Sequence, residues 1–234
     1  MKTWIGTSGF QYPEWKGKFY PETMSTAKML TFYSGQFNTT EVNYTFRSIP
    51  STKTIQRWCN ETPQDFRFSL KAPQRVTHFA KLKGCGPLMK VFAEAVSGLG
   101  DKTGPVLFQL PPTFKNDTAL LTEFLSGLPD GMRTAFEFRH ESWFTDDVFA
   151  TLSKHNTALC IAESEDLETP REITASFGYL RLRREDYTAK DTKEQAKFLS
   201  RQAKAWREAF IYFKHEETCV GPGFASALME ALND

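Results

Sequence analysis

The chain has 234 residues, a formal net charge of +1, 40% hydrophobic residues and 24% charged residues. These values suit a soluble globular protein with a core of its own, and the bulk charge gives no argument for a nucleic-acid partner. Cys59, Cys85, Cys160 and Cys219 are scattered with no CxxC pair or zinc-ligand spacing, which excludes a small disulfide scaffold and points to reduced thiols. The opening residues MKTWIGTSGF lack the apolar run of a signal peptide, and no stretch of about 18 apolar residues offers a membrane span. The expectation is a cytoplasmic protein with no membrane partner; oligomeric state is not read from the sequence.

No linker, low-complexity tract or repeat divides residues 1–234, so one domain is expected. The first β-like run, TWIGTS (3–8), leads into a long aromatic loop, QYPEWKGKFYP, and a helical segment, TAKMLTFYSGQF. TTEVN (39–43) precedes TKTIQRWC, RFSLKA (67–72) precedes LMKVFAEAVSGL, and GPVLFQL (104–110) precedes DTALLTEFLSGL with Asp117 as N-cap. TAFEFR (134–139) is followed by TDDVFATLSKH, where Thr145 is the expected N-cap and Asp146 and Asp147 favour the first turn. TALCIA (157–162) is followed by ESEDLETPREITAS, whose pattern predicts a short helix or an irregular connection. GYLRLR (178–183) precedes TKEQAKFLSRQAKAW, and FIYFKH (210–215) precedes GFASALMEAL. Eight strands alternating with helices over this length predict an α/β fold, a (β/α)8 TIM-type barrel. The absence of GxGxxG after the first strand argues against a dinucleotide-binding sheet.

Strand side chains alternate between faces, so the apolar residues identify which face meets the helices. With Phe136 and Phe138 outward, Glu137 and Arg139 point into the lumen. The same reasoning places Glu41 and Asn43 inward beside Val42, and Arg67, Ser69 and Lys71 inward between Phe68 and Leu70. It also places Gln109, Arg181, Arg183 and Lys214 inside, with Tyr179 behind Arg181 and with His215 at the last turn. Barrel active sites lie at the strands' C-terminal ends. The excess of cations there favours an anionic ligand, which arginine grips with a bidentate fork.

Glu41 and Glu137 are the general acid or base candidates, Lys71 the nucleophile or acid, and His140, just past a strand end, a further acid/base group. The competing reading is an ion-pair network that only fills the lumen. No metal or organic cofactor is indicated by local spacing, although Glu41, Glu137, His140, His215 and Glu216 are donor types that leave a divalent metal possible. In the first loop, Tyr12 and Trp15 sit among Lys16, Lys18, Phe19 and Tyr20, a pattern that serves either for stacking on a base or sugar ring or for pinning the loop to the barrel.

The segments IGTSGF, Trp15 with FYP, EVNYTFRSIP, RFSLKAP followed by THF, GPVLFQLPPTF and EFRHESWF run in order over about 140 residues, and YLRLR and YFKHEE extend the pattern. This set resembles the DUF72 family, also called YecE-like proteins. The resemblance implies a TIM-type barrel with a polar pocket at the C-terminal ends of the strands, and supplies no established activity. Three departures add positive charge: Arg47 stands where the family commonly has Tyr, RLRR replaces RLHG with Arg183 in place of His, and Lys214–His215–Glu216 replaces an Asn-containing strand end.

The leading functional expectation is an enzyme acting by acid/base chemistry on a small anionic substrate, phosphorylated or nucleotide-like. Phosphoester hydrolysis and sugar-phosphate isomerisation both fit. The alternatives are a non-catalytic binder of a nucleic-acid end or an anionic metabolite, and a scaffold with a vestigial pocket.

Overall fold

The computed structural model describes residues 1–163, 167–214 and 218–233. Eight strands, β1 (Lys2–Ser8), β2 (Thr39–Val42), β3 (Arg67–Lys71), β4 (Thr103–Gln109), β5 (Thr134–Glu137), β6 (Ala158–Ala162), β7 (Phe177–Leu182) and β8 (Glu208–Phe213), pair in sequence order. The β1–β8 pairing, parallel like the others, closes the barrel. Around it lie α1 (Met29–Ser34), α2 (Tyr44–Arg47), α3 (Thr52–Asn60), α4 (Gly86–Ser97), α5 (Thr118–Ser126), α6 (Asp146–Lys154), α7 (Ala189–Gln202) and α8 (Gly221–Asn233). Among the described residues, no helix is long and apolar enough to cross a membrane.

Local chemistry sets several helix starts. Ser51 accepts a hydrogen bond from Thr54 N at α3, and Asp117 accepts one from Leu120 N at α5, satisfying amides that have no intrahelical partner. Thr145 is the residue before α6, but its side chain makes no capping bond. Helix α7 starts earlier than its apolar pattern suggests, because Thr188 and Asp191 form a reciprocal capping box upstream of the first apolar residue. The connection from β6 to β7 contains no helix among its described residues. Strand β5 ends at Glu137, so Arg139 lies beyond the ladder.

The alternation sorts side chains into two apolar layers. Val42, Phe68, Leu70, Val106, Phe108, Leu110, Phe136, Phe138, Leu180 and Leu182 belong to the layer between strands and helices. There Phe136 stacks on Phe108 at 5.0 Å, and both rings meet Phe124 of α5 edge-on. A separate cluster fills the lower lumen with Trp4, Leu107, Ala135, Cys160, Phe177, Tyr179, Phe210 and Tyr212. Its floor is closed by Trp4, whose indole donates to Glu208 at 2.6 Å while Arg133 pairs with the same carboxylate at 2.6 Å. Arg67 lies over the Trp4 ring at 4.7 Å, which places this inward arginine at the floor. The packed floor leaves the opposite rim as the open end.

Candidate functional site at the barrel mouth

Above the apolar plug, five strands (β1, β2, β4, β5 and β7) contribute one connected charged layer. The parallel register sets Ser8 opposite Glu41, and Gln109 opposite Glu137. Ser8 Oγ donates to Glu41 Oε1 at 2.6 Å, Arg181 Nη2 donates to the same oxygen at 2.9 Å, and Tyr179 OH donates to Oε2 at 2.7 Å. Arg181 Nη1 donates to Glu137 Oε2 at 2.6 Å, while Arg183 Nη2 and Gln109 Nε2 donate to Oε1 at 2.7 and 2.8 Å. Arg181 therefore bridges both carboxylates while only 1% exposed. Buried charges persist when paired and hydrogen-bonded in this way, because an isolated one loses its hydration without compensation.

The electrostatics follow from the contacts. Burial by itself pushes Glu137 upward, but Arg181 and Arg183 outweigh it and hold the carboxyl down to about 2. Burial likewise opposes ionisation of Glu41; Arg181 and the bonds from Ser8 and Tyr179 prevail and keep it below its ordinary value. Burial raises Tyr179 and Cys160 well above their usual values, so both stay protonated.

Lys71 differs from its neighbours. Its ammonium lies 4.3 Å from the centre of the Phe46 ring, and among the described residues no oxygen accepts a hydrogen bond from it. Burial and then Arg181 lower it to about 8, with Lys214 adding to the effect and Glu41 and Glu137 opposing it. On the β3–α4 connection, His78 meets the Phe46 ring edge-on at 5.1 Å, with its Nδ1 2.9 Å from Thr77 Oγ1. Burial, Lys71 and Arg139 together hold His78 below its ordinary value.

The remaining residues singled out from the sequence fall in distinct places. Asn43 Nδ2 donates to Ser8 Oγ at 3.0 Å, linking it to the charged layer. Lys214 is half-buried, with its backbone N–H bonded to Leu182 O. Arg139 is exposed rather than enclosed in the lumen, because β5 has already ended. His140 Nδ1 accepts from Ser142 N at 3.1 Å, capping a short turn (Glu141–Trp143). His215 and Glu216 lie outside the described residues. Trp15 is 1% exposed and packed against Tyr12, Phe19 and Tyr20.

Tyr12 donates to Ser8 O at 2.8 Å and lines a cavity of about 510 Å³ beside the mouth. Asn43, Tyr44, Arg57 and Trp58 complete much of its wall. Gly9 shapes this turn: its φ is +92°, and a Cβ there would fall 2.0 Å from the Tyr12 hydroxyl oxygen. Among the described residues, no group of three or more His, Cys, Asp and Glu is placed to hold a metal.

Sequence reasoning missed Ser8, Glu163, Tyr187, His78 and Phe46. Ser8 was accessible from strand alternation, since β1 places it on the inward face like Glu41. Glu163 accepts from Arg183 N at 3.1 Å and from the Tyr187 hydroxyl, a pairing across a connection that carries no periodic signal.

A family model described as "Protein of unknown function DUF72" matches residues 4–234. The UPF0759 protein YecE of Escherichia coli K12 is 31% identical over 142 residues, which is 60% of this chain and 50% of that protein. The UPF0759 protein YunF of Bacillus subtilis is 28% identical over 134 residues, 54% of this chain and 48% of that protein. The matched stretch thus spans about half the length of these curated relatives. In fold, a DUF72-family protein of Thermotoga maritima covers 100% of both chains at a TM-score of 0.83 and 24% identity. A DUF72-family protein of Enterococcus faecalis reaches 0.83 at 16% identity, covering 99% of this chain and 96% of its own.

Proposed function

The chain belongs to the DUF72 family, and on that premise we propose that the barrel mouth is the active site of an enzyme for a small anionic, phosphorylated or nucleotide-like substrate. The supporting observation is the ammonium of Lys71, half-buried at the rim with no acceptor among the described residues. Glu41 and Glu137 are offset by Arg181 and Arg183 through direct ion pairs. Among the described residues, Lys71, Lys214 and Arg139 are left over beside Glu163, which is occupied by Tyr187 and Arg183 N. An anion entering there gains charge-assisted hydrogen bonds that no protein group now takes.

In this reading, Glu41 and Glu137 are positioning residues. Their oxygens are filled by donors and their acid forms are disfavoured, so they hold the arginines and set the field at Lys71. Lys71, held at about 8, is the group suited to exchange a proton near neutral pH. The 510 Å³ cavity, which shares Asn43 with the charged layer, accommodates the sugar or base of a nucleotide-like ligand. The same cavity favours one second reading, non-catalytic capture of a nucleic-acid end, for which affinity would fall steeply with salt.

Calorimetric titration with inorganic phosphate and with glycerol 3-phosphate tests the reading. Binding by the native protein, weakened on the order of tenfold or more by Lys71→Met, is expected. Absence of binding at millimolar ligand, or binding indifferent to that substitution, would remove the site.

A further inference from the structure

We infer that Lys71 is a nitrogen nucleophile: an amine that condenses with the carbonyl group of an aldehyde or ketone bearing a phosphate, forming an imine at the barrel mouth. This rests on the anion-binding reading and goes beyond it by naming the reactive group of the substrate and the bond formed.

Among the described residues of the lumen lining, the hydroxyl and thiol groups that could act as nucleophiles are occupied or shut away. Ser8 is 1% exposed; its hydroxyl donates to Glu41 and receives Asn43. The Tyr179 hydroxyl is spent on Glu41, and that of Tyr212 on Ser69 at 2.7 Å. Cys160 is fully buried, and burial keeps its thiol protonated. Lys71, by contrast, is partly exposed and has no acceptor among the described residues. A lysine crowded by other cations and set against an apolar ring is the arrangement that frees an amine lone pair. Here Arg181 and Lys214 are the crowding cations, and the face of Phe46 is the ring. The value of about 8 leaves a useful neutral fraction at mildly alkaline pH.

The step balances without any further reagent. The Nζ lone pair of neutral Lys71 attacks the carbonyl carbon, the C=O π pair moves to oxygen, and that oxygen takes up the proton released by nitrogen. The carbinolamine then loses water as the nitrogen lone pair forms the C=N bond. One amine and one carbonyl become one imine and one water. Arg139 and Lys214 are the cations available for the substrate's phosphate, and neither side chain donates to an acceptor among the described residues.

The test uses the native protein at pH 8 with sodium borohydride and either dihydroxyacetone phosphate or glyceraldehyde 3-phosphate, followed by peptide mass mapping. Hydride reduces an imine to a stable secondary amine, so the adduct marks the lysine that formed it. The expected result is labelling of Lys71 on the order of tenfold above that of the exposed Lys190, suppressed by excess glycerol 3-phosphate and absent with glyceraldehyde lacking the phosphate. Glycerol 3-phosphate has no carbonyl and reports on the anion site alone. If it binds while Lys71 is labelled no more than Lys190, imine formation is overturned and the anion site stands. If it does not bind and Lys71 is not labelled, both readings fall. Because the comparison is made within one native sample, no variant need fold for the proposal to fail.

Discussion

The two ends of this barrel hold the same kinds of side chain and dispose of them differently. At the N-terminal end, three cations are committed to hydrogen-bond acceptors, while Lys2 lies over the Trp4 ring at 4.1 Å. Arg133 takes Glu208 and Thr103 O, and Arg67 lies on Trp4 and donates to Phe66 O. Lys102 is 5% exposed and donates to Cys59 O, Thr62 O and Thr62 Oγ1 at 2.7, 2.7 and 3.0 Å. At the C-terminal end, Arg181 and Arg183 are similarly spent on carboxylates, but Lys71 has no acceptor among the described residues. The contrast separates charges that complete the fold from charges held in reserve, and it coincides with the end where βα loops build barrel active sites.

Four experiments break or sharpen that contrast. The largest effect belongs to Arg181→Met, which leaves two buried carboxylates without their shared partner. Urea unfolding should show a loss of about 3–5 kcal/mol, and a loss below about 1 kcal/mol would mean that the layer is not the closed network described. Next comes acid. Glu137 is held at about 2 against an ordinary 4.5, so the unfolded chain binds its proton first. The stabilisation is therefore complete above about 4.5 and is lost as pH falls towards about 2. Denaturation midpoints that stay constant through that window would contradict it.

Lys102→Met probes the committed end. It leaves two carbonyl oxygens without their donor and should cost about 1–3 kcal/mol, with anion affinity unchanged. Loss of affinity in that variant would erase the distinction between the two ends. The smallest effect has the opposite sign. Lys71 is lowered from 10.5 to about 8, so below 8 the folded protein carries a proton that its surroundings disfavour. Lys71→Met should raise stability by about 0.5–2 kcal/mol at pH 7. The gain should shrink as pH rises from about 8 to 10.5 and vanish above, because the native lysine is then neutral in both states. Thermal melts across that range decide it; a destabilised variant would make Lys71 one more structural cation.

Much of the scaffold was legible because strand alternation is a local rule. Phe136 and Phe138 were assigned outward from spacing alone, and the structure places both in the outer layer with Glu137 inside the lumen on Arg181. The β6–β7 connection and the start of α7 were harder, since one lacks periodicity and the other depends on a capping pair outside the apolar pattern. Arg139 was grouped with the lumen charges, but the strand ends two residues earlier and releases its side chain to the surface. Trp15 had two readings in the sequence, and the structure buries its ring against Tyr12, Phe19 and Tyr20 of the same loop.

By itself the sequence determined the number and order of strands and the face taken by residues within them, and hence that Glu41, Glu137 and Arg181 share the lumen. That much follows from the two-residue period of a strand and needs no knowledge of distant partners. Only the tertiary structure decided which charges cancel. Arg181 reaches Glu41 and Glu137 across 140 and 44 residues of chain. Coulomb energy and desolvation depend on separations of a few ångströms that barrel closure alone creates. Lys71 stands apart for that reason: the arginines reach the carboxylates first, and its ammonium is left against the ring of Phe46.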